Sequence, residues 1–135
     1  MASCQLNDGL TLIATPIGNL RDITHRAIDA LLKADQILCE DTRISRKLLS
    51  RYNITTRLTA YHEHNANSLR PKIIKALQEG KKIALISDAG TPNISDPGYK
   101  LIETCLENNI EVSTVPGPSA VIAALSISGL PTNNF

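Results

Sequence analysis

The sequence predicts an α/β fold, a five-stranded, mainly parallel sheet flanked by helices. Three observations lead there. The 135 residues suffice for one domain with a real core and not for two. The chain is 42% hydrophobic but only 3% aromatic, with no Trp, so its core is built from Leu, Ile, Val and Ala, the composition of parallel strands covered by helices. Short apolar runs also alternate with stretches of helical period along the chain, the signature of repeated βα units.

The expected strands are residues 10–14, 36–39, 58–61, 83–87 and 112–115. Between them, Ala27, Ile28, Leu31 and Leu32 recur with helical spacing, as do Ile73, Ile74 and Leu77, and then Leu101, Ile102, Cys105 and Leu106; each set marks a helix with one buried face. Gly80 is placed as a left-handed stop for the second of these helical regions, and Asp96-Pro97 reads as an N-cap followed by Pro in the first turn. An apolar helix over 119–125 runs into Ser128-Gly129-Leu130-Pro131. A domain on its own exposes the apolar surface that a partner domain would cover, which predicts self-association.

The net charge of +1 neither recruits nor repels nucleic acid, so any RNA contact has to come from a local patch. Three cysteines, Cys4, Cys39 and Cys105, without CxxC spacing argue against a disulfide framework or zinc site and fit a reducing, cytoplasmic setting. No apolar run reaches membrane-spanning length.

In an open α/β sheet ligands bind beyond the carboxyl ends of the strands, so the loops after each strand carry the functional reading. Thr15-Pro16-Ile17-Gly18-Asn19-Leu20 is either a turn or a close backbone approach to a ligand. Glu40-Asp41-Thr42-Arg43 either binds a polar group or caps the following helix. Arg43, Lys47 and Arg51 then recur every four residues, with Arg46 beside them and Arg57 shortly after. On a helix these form a basic stripe opposite Leu48, Leu49 and Tyr52, which is either a phosphate-binding face or a solvated one.

Tyr61-His62-Glu63-His64-Asn65 has His-x-His spacing but lacks neighbouring ligands, so it reads as a polar, substrate-facing loop rather than a metal site. The richest segment is Ser87-Asp88-Ala89-Gly90-Thr91-Pro92, continuing to Asp96-Pro97-Gly98: small residues that admit a ligand to the backbone, with two carboxylates beside them. Pro116-Gly117-Pro118-Ser119-Ala120 opens the last helix and offers free amides. Neither GxGxxG after the first strand nor GxxxxGK[ST] occurs, so a dinucleotide Rossmann site and a P-loop are unsupported.

Taken in order, four of these loops, 15–20 with Asp22-Ile23-Thr24 after it, 40–43, 87–92 with Asp96-Pro97-Gly98, and 116–120, closely resemble the ribosomal RNA small-subunit methyltransferase I family of the tetrapyrrole methylase-like superfamily. The resemblance implies S-adenosylmethionine-dependent 2'-O-methylation of a cytidine ribose in 16S rRNA near the decoding centre. It also implies a homodimer of two-domain chains with the cofactor in the cleft between domains. Residues 1–135 then form a single N-terminal domain, inactive alone because the second domain supplies much of the adenosyl pocket. The cofactor residues so implied are Pro16, Ser87, Asp88, Ala89, Gly90, Thr91, Asp96, Pro116, Gly117, Ser119 and Ala120. Arg43, Arg46, Lys47, Arg51 and Arg57 are the RNA contacts, and Asp22, Asp41 and His62 are candidates for accepting or orienting the 2'-hydroxyl proton. A tetrapyrrole-precursor methylase and a non-catalytic binding or dimerisation module are the rival readings.

Overall fold

A computed structural model describes residues 8–94 and 98–135. The five strands, β1 (Gly9–Ile13), β2 (Gln36–Cys39), β3 (Leu58–Ala60), β4 (Lys82–Leu85) and β5 (Val112–Val115), form one sheet in the order β3-β2-β4-β1-β5. All four pairings are parallel, and Leu10 of the central region lies between Ile83 and Val112. Three expected strands, 10–14, 58–61 and 83–87, end one, one and two residues earlier, because there the chain leaves the ladder to build the loops described below.

Helices α1 (His25–Lys33), α2 (Thr42–Arg51), α3 (Glu63–Gln78), α4 (Tyr99–Glu107) and α5 (Ala120–Ile127) connect or follow the strands. From β1 to β2 to β3 the chain steps toward one edge, and from β3 to β4 to β5 it steps back. Right-handed crossovers then place α1 and α2 on one face and α3 and α4 on the other. The core bears this out in period-2 alternation. Ile13, Ile37, Cys39, Ala84 and Ile86 pack with Ala27, Ala30 and Leu31 of α1 and Leu49 of α2, while Leu10, Leu38, Ile83 and Leu85 pack with Ile73, Ile74 and Leu77 of α3 and Leu101 and Cys105 of α4.

Local chemistry sets the helix ends. Thr24 caps α1 by accepting from Ala27 N, and Asp41 caps α2 by accepting from Arg43 N. Gly80 stops α3 with φ +85°, as its position predicts. α3 is longer than its apolar spacing suggests: it starts at Glu63 and tolerates Pro71 in its interior. The expected Asp96 cap and Pro97 lie outside the described residues; α4 is entered through Gly98.

α5 has no buried residue, and Val121, Ile122 and Ile127 on it stand exposed together with Leu130 and Phe135 beyond. Light scattering is therefore expected to show association rising with concentration, and a strict monomer at high concentration would count against it. No helix among the described residues is long and apolar enough to cross a membrane.

Candidate functional site

The loop after β4 descends toward the α3/α4 face, whereas the loops after its two neighbours, β1 and β2, turn to the α1/α2 face. Such divergence on both sides of one strand opens a crevice at the carboxyl edge. Thr15 crosses it on one side: its N donates to Gly90 O at 2.9 Å, Gly90 N donates back to Thr15 O at 3.0 Å, and its buried hydroxyl donates to Ser87 O at 3.1 Å. Ser87 Oγ lies 3.2 and 3.1 Å from the Ala89 and Gly90 carbonyls, so that hydroxyl shapes the loop from within.

Two glycines make this convergence possible. Gly90 sits at φ +80°, which L side chains rarely adopt. Gly117, after β5, lies so close to the end of β1 that a Cβ on it would stand 2.9 Å from Ala14 Cβ. The loops after β4 and β5 therefore both close on the end of β1, bringing Pro16, residues 87–91 and residues 116–120 into one region. Of these, Ala89, Thr91, Pro116, Gly117 and Ala120 are exposed, Ser119 and Asp88 are half-buried, and Pro16, Ser87 and Gly90 are buried. At the start of α5, Ser119 Oγ accepts from Ile122 N at 3.4 Å. Asp96 lies outside the described residues.

On the other side of β4, Asp41 N donates to Asp88 Oδ1 at 3.3 Å, linking the β2 and β4 loops. The Asp41 carboxylate is taken by Arg43: Oδ1 accepts from Arg43 N at 2.8 Å and Nε at 3.1 Å, and Oδ2 accepts from Nη2 at 2.7 Å. The Arg43 side-chain hydrogen bonds, more than the backbone one, hold the Asp41 carboxyl at about 2 against an ordinary 3.8. Because this pKa is depressed on folding, the pairing contributes stability above pH 3.8 and loses it as pH falls through 2. A carboxyl-detected NMR titration is expected to find Asp41 still ionised at pH 3, and to lose this behaviour in Arg43→Ala.

Exposed Arg43, Arg46 and Lys47 line an open groove of about 500 Å³ with Thr42 and Ser50 on the outer side of α2, while Leu48 and Leu49 are buried beneath. Arg51, in the last turn of α2, and Arg57, just before β3, are exposed but do not line that groove. The amphipathic spacing thus places three of the five basic residues together.

Asp22, Asp41 and His62 do not meet. Asp22 is exposed in the 3-10 turn Leu20–Asp22 after β1, and His62 precedes α3 after β3. β1 and β3 are three strand spacings apart, roughly 14 Å, with Asp41 between them. His62 and His64 stack edge to face at 5.9 Å, and no group of three or more His, Cys, Asp or Glu side chains with metal-binding geometry occurs among the described residues. Burial pushes up both the Cys39 thiol and that of Cys105, the latter to about 11, which keeps them un-ionised. Sequence reasoning missed the Thr15 hydroxyl as the tie between loops and the Asp41–Asp88 link; both join residues far apart in the chain, and no local pattern announces them.

Residues 9–135 match the tetrapyrrole (corrin/porphyrin) methylases. The chain belongs to the tetrapyrrole methylase family. Among its curated relatives, the ribosomal RNA small subunit methyltransferase I of Mesorhizobium japonicum is 58% identical over 130 residues, covering 96% of this chain and 44% of that protein. The protein of the same name from Halalkalibacterium halodurans is 52% identical over 126 residues, covering 93% and 44%. This methylase-family chain thus spans less than half the length of these two relatives. The fold is that of solved family structures: uroporphyrin-III-C-methyltransferase from Thermus thermophilus superimposes with a TM-score of 0.68 at 21% identity, over 95% of this chain and 55% of that one.

Proposed function

We propose that this chain is the cofactor-holding N-terminal domain of an S-adenosylmethionine-dependent methyltransferase that modifies the ribose 2'-oxygen of a cytidine in 16S rRNA of the small ribosomal subunit, acting in the cytoplasm as a homodimer. The observation that carries the reading is the meeting of the β4 and β5 loops on the end of β1, with a basic groove on the far side of Asp88. The names of the relatives supply the RNA acceptor.

The residues present fit the cofactor. Gly117 lets the β5 loop approach Ala14 more closely than any side chain would allow, and residues 87–91 present small side chains at the crevice. Pro16, the peptide groups of residues 87–91, Asp96, and Pro116, Gly117, Ser119 and Ala120 would hold it. When bound, S-adenosylmethionine supplies an electrophilic methyl group on a sulfonium.

What the protein adds is position: the ribose oxygen has to lie in line with that methyl while water is kept out. Arg43, Arg46, Lys47, Arg51 and Arg57 are assigned to the RNA backbone. Asp41, ionised and clamped to Arg43, suits orienting a hydroxyl better than taking its proton, while His62 and Asp22 are the remaining candidates for proton acceptance. A protein extended past Phe135 tests this, with labelled cofactor and either assembled small subunits or a porphyrinoid as acceptor. Label is expected in RNA at an alkali-resistant linkage, the mark of a 2'-O-methyl ribose; transfer to the porphyrinoid alone, or to a base, would overturn the reading. Alanine at Asp22, Asp41 and His62 in turn is expected to slow transfer for at least one, and wild-type rates for all three would remove the assignment.

A further inference from the structure

Between the loop after β1, the first turns of α2 and the start of the loop after β4 lies a second cavity, of about 180 Å³. Pro16, Leu20, Ile44 and Leu48 give it apolar walls, Asp88 supplies a carboxylate, and Lys47 stands both on this cavity and on the basic groove. Leu20 and Ile44 remain 42% and 44% exposed, so the walls are apolar surface left uncovered. The slot is already built: Tyr52 Oη donates to Leu20 O at 2.5 Å, fastening the β1 loop to α2, and the Thr15–Gly90 pair fixes the distance to β4. Asp88 Oδ1 receives Asp41 N, and no hydrogen bond among the described residues engages Oδ2.

A cation at the lip, apolar walls and a carboxylate acceptor together match a flat ring that carries an amino group and is tethered to a phosphate. An amino-bearing nucleobase is that ligand, and it has two possible sources, the acceptor RNA and the adenine of the cofactor. Charge decides between them. S-adenosylmethionine is cationic overall and carries no phosphate, so Lys47 on the cavity and Arg46 on the adjoining groove disfavour it, whereas both attract an RNA strand. The volume of about 180 Å³ falls below the roughly 300–1,000 Å³ that encloses a drug-sized ligand and suits a single base.

The geometry points to a slot for an amino-bearing base, such as cytosine, swung out of its RNA stack, with the ring against Leu20 and Ile44, the exocyclic amine on Asp88 and the phosphate on Lys47. Enzymes that act on a base within a duplex extract it in this way, and a carboxylate accepting from the cytosine amino group is a known base-reading pair. Asp88 is then a specificity residue for the acceptor, its carboxylate serving the base while its peptide belongs to the cofactor loop. Holding the base here also brings its ribose toward residues 87–91. This inference rests on the RNA reading above.

The test uses this chain with RNA hairpins carrying one bulged cytidine or one bulged uridine, read by fluorescence anisotropy and by the methyl NMR signals of Leu20 and Ile44. The cytidine hairpin is expected to bind roughly tenfold tighter and to shift both methyl signals. Asp88→Asn, which keeps an acceptor for Asp41 N, is expected to bring the two hairpins within about twofold, because an amide pairs with either base. Ile44→Ala, an exposed helical site where alanine is well tolerated, is expected to weaken the cytidine hairpin at least threefold. Equal binding of both hairpins with silent methyl signals would overturn the slot and leave the RNA reading intact. Shifts at Leu20 and Ile44 with S-adenosylmethionine alone would give the slot to the cofactor, and failure to bind either hairpin would overturn both proposals.

Discussion

Alanine at both Arg46 and Lys47 is expected to weaken binding to small-subunit RNA roughly 30-fold at 0.1 M salt. A phosphate contact contributes a salt exponent of about 0.7–0.9, which amounts to roughly five- to eightfold per contact at 0.1 M relative to 1 M salt. Both side chains are exposed on the groove along α2. The slope of log affinity against log salt should fall by about 1.5 in the double variant. Arg43→Ala is expected to matter less, because Asp41 already accepts two hydrogen bonds from its guanidinium and neutralises much of its charge. Filter binding over a salt series checks both statements; equal effects of Arg43 and Lys47 would mean that the Asp41 pair opens on contact with RNA.

Gly9→Ala is expected to destabilise the fold by roughly 4 kcal/mol, enough to threaten a domain whose total stability is of the order of 5–15 kcal/mol. Gly9 starts β1, an interior strand of the sheet, at φ +119°, and an added Cβ would stand 2.3 Å from Glu111 O. Backbone strain of this kind costs about 1–3 kcal/mol, and forcing an atom into packed backbone costs about as much again. The displacement would fall on the first rung between β1 and β5, where Leu10 N donates to Glu111 O at 2.9 Å. Gly80→Ala is the control, because its φ is +85° but nothing lies within 4 Å of the added Cβ; strain alone predicts a loss of about 1 kcal/mol. Urea unfolding of the two variants separates collision from strain, and similar losses would mean that the contact with Glu111 O costs little.

Much of this arrangement is legible in the sequence because it is local. The apolar runs at Ile37–Cys39 and Ile83–Leu85 have one buried face for each helix layer, so alternation alone locates the strands. The spacing of Arg43 and Lys47 against Leu48 likewise fixes which side of α2 is basic. Strand order is not local. Nothing in residues 10–14 states that β4 and β5 flank them, and hence nothing shows that the Gly90 and Gly117 loops meet on Thr15 and Ala14. The slot between Leu20 and Ile44 was illegible for the same reason: its walls come from two loops and a helix, and Tyr52, read from the sequence only as part of the packing face, ties them through its hydroxyl. Asp22, Asp41 and His62 are alike as polar residues after strands, and only the order β3-β2-β4-β1 reveals how far apart they stand.

S-adenosylmethionine is expected to bind where the β4 and β5 loops are drawn together on the end of β1, and amide NMR of the chain titrated with the cofactor reads this residue by residue. Ala89, Gly90, Thr91, Gly117, Ser119 and Ala120 are expected to shift together along one binding curve while Lys33, Gly80 and Asn109, at the opposite edge of the sheet, stay still. Shifts confined to α2 or α3, or none in the two loops at millimolar cofactor, would contradict that placement.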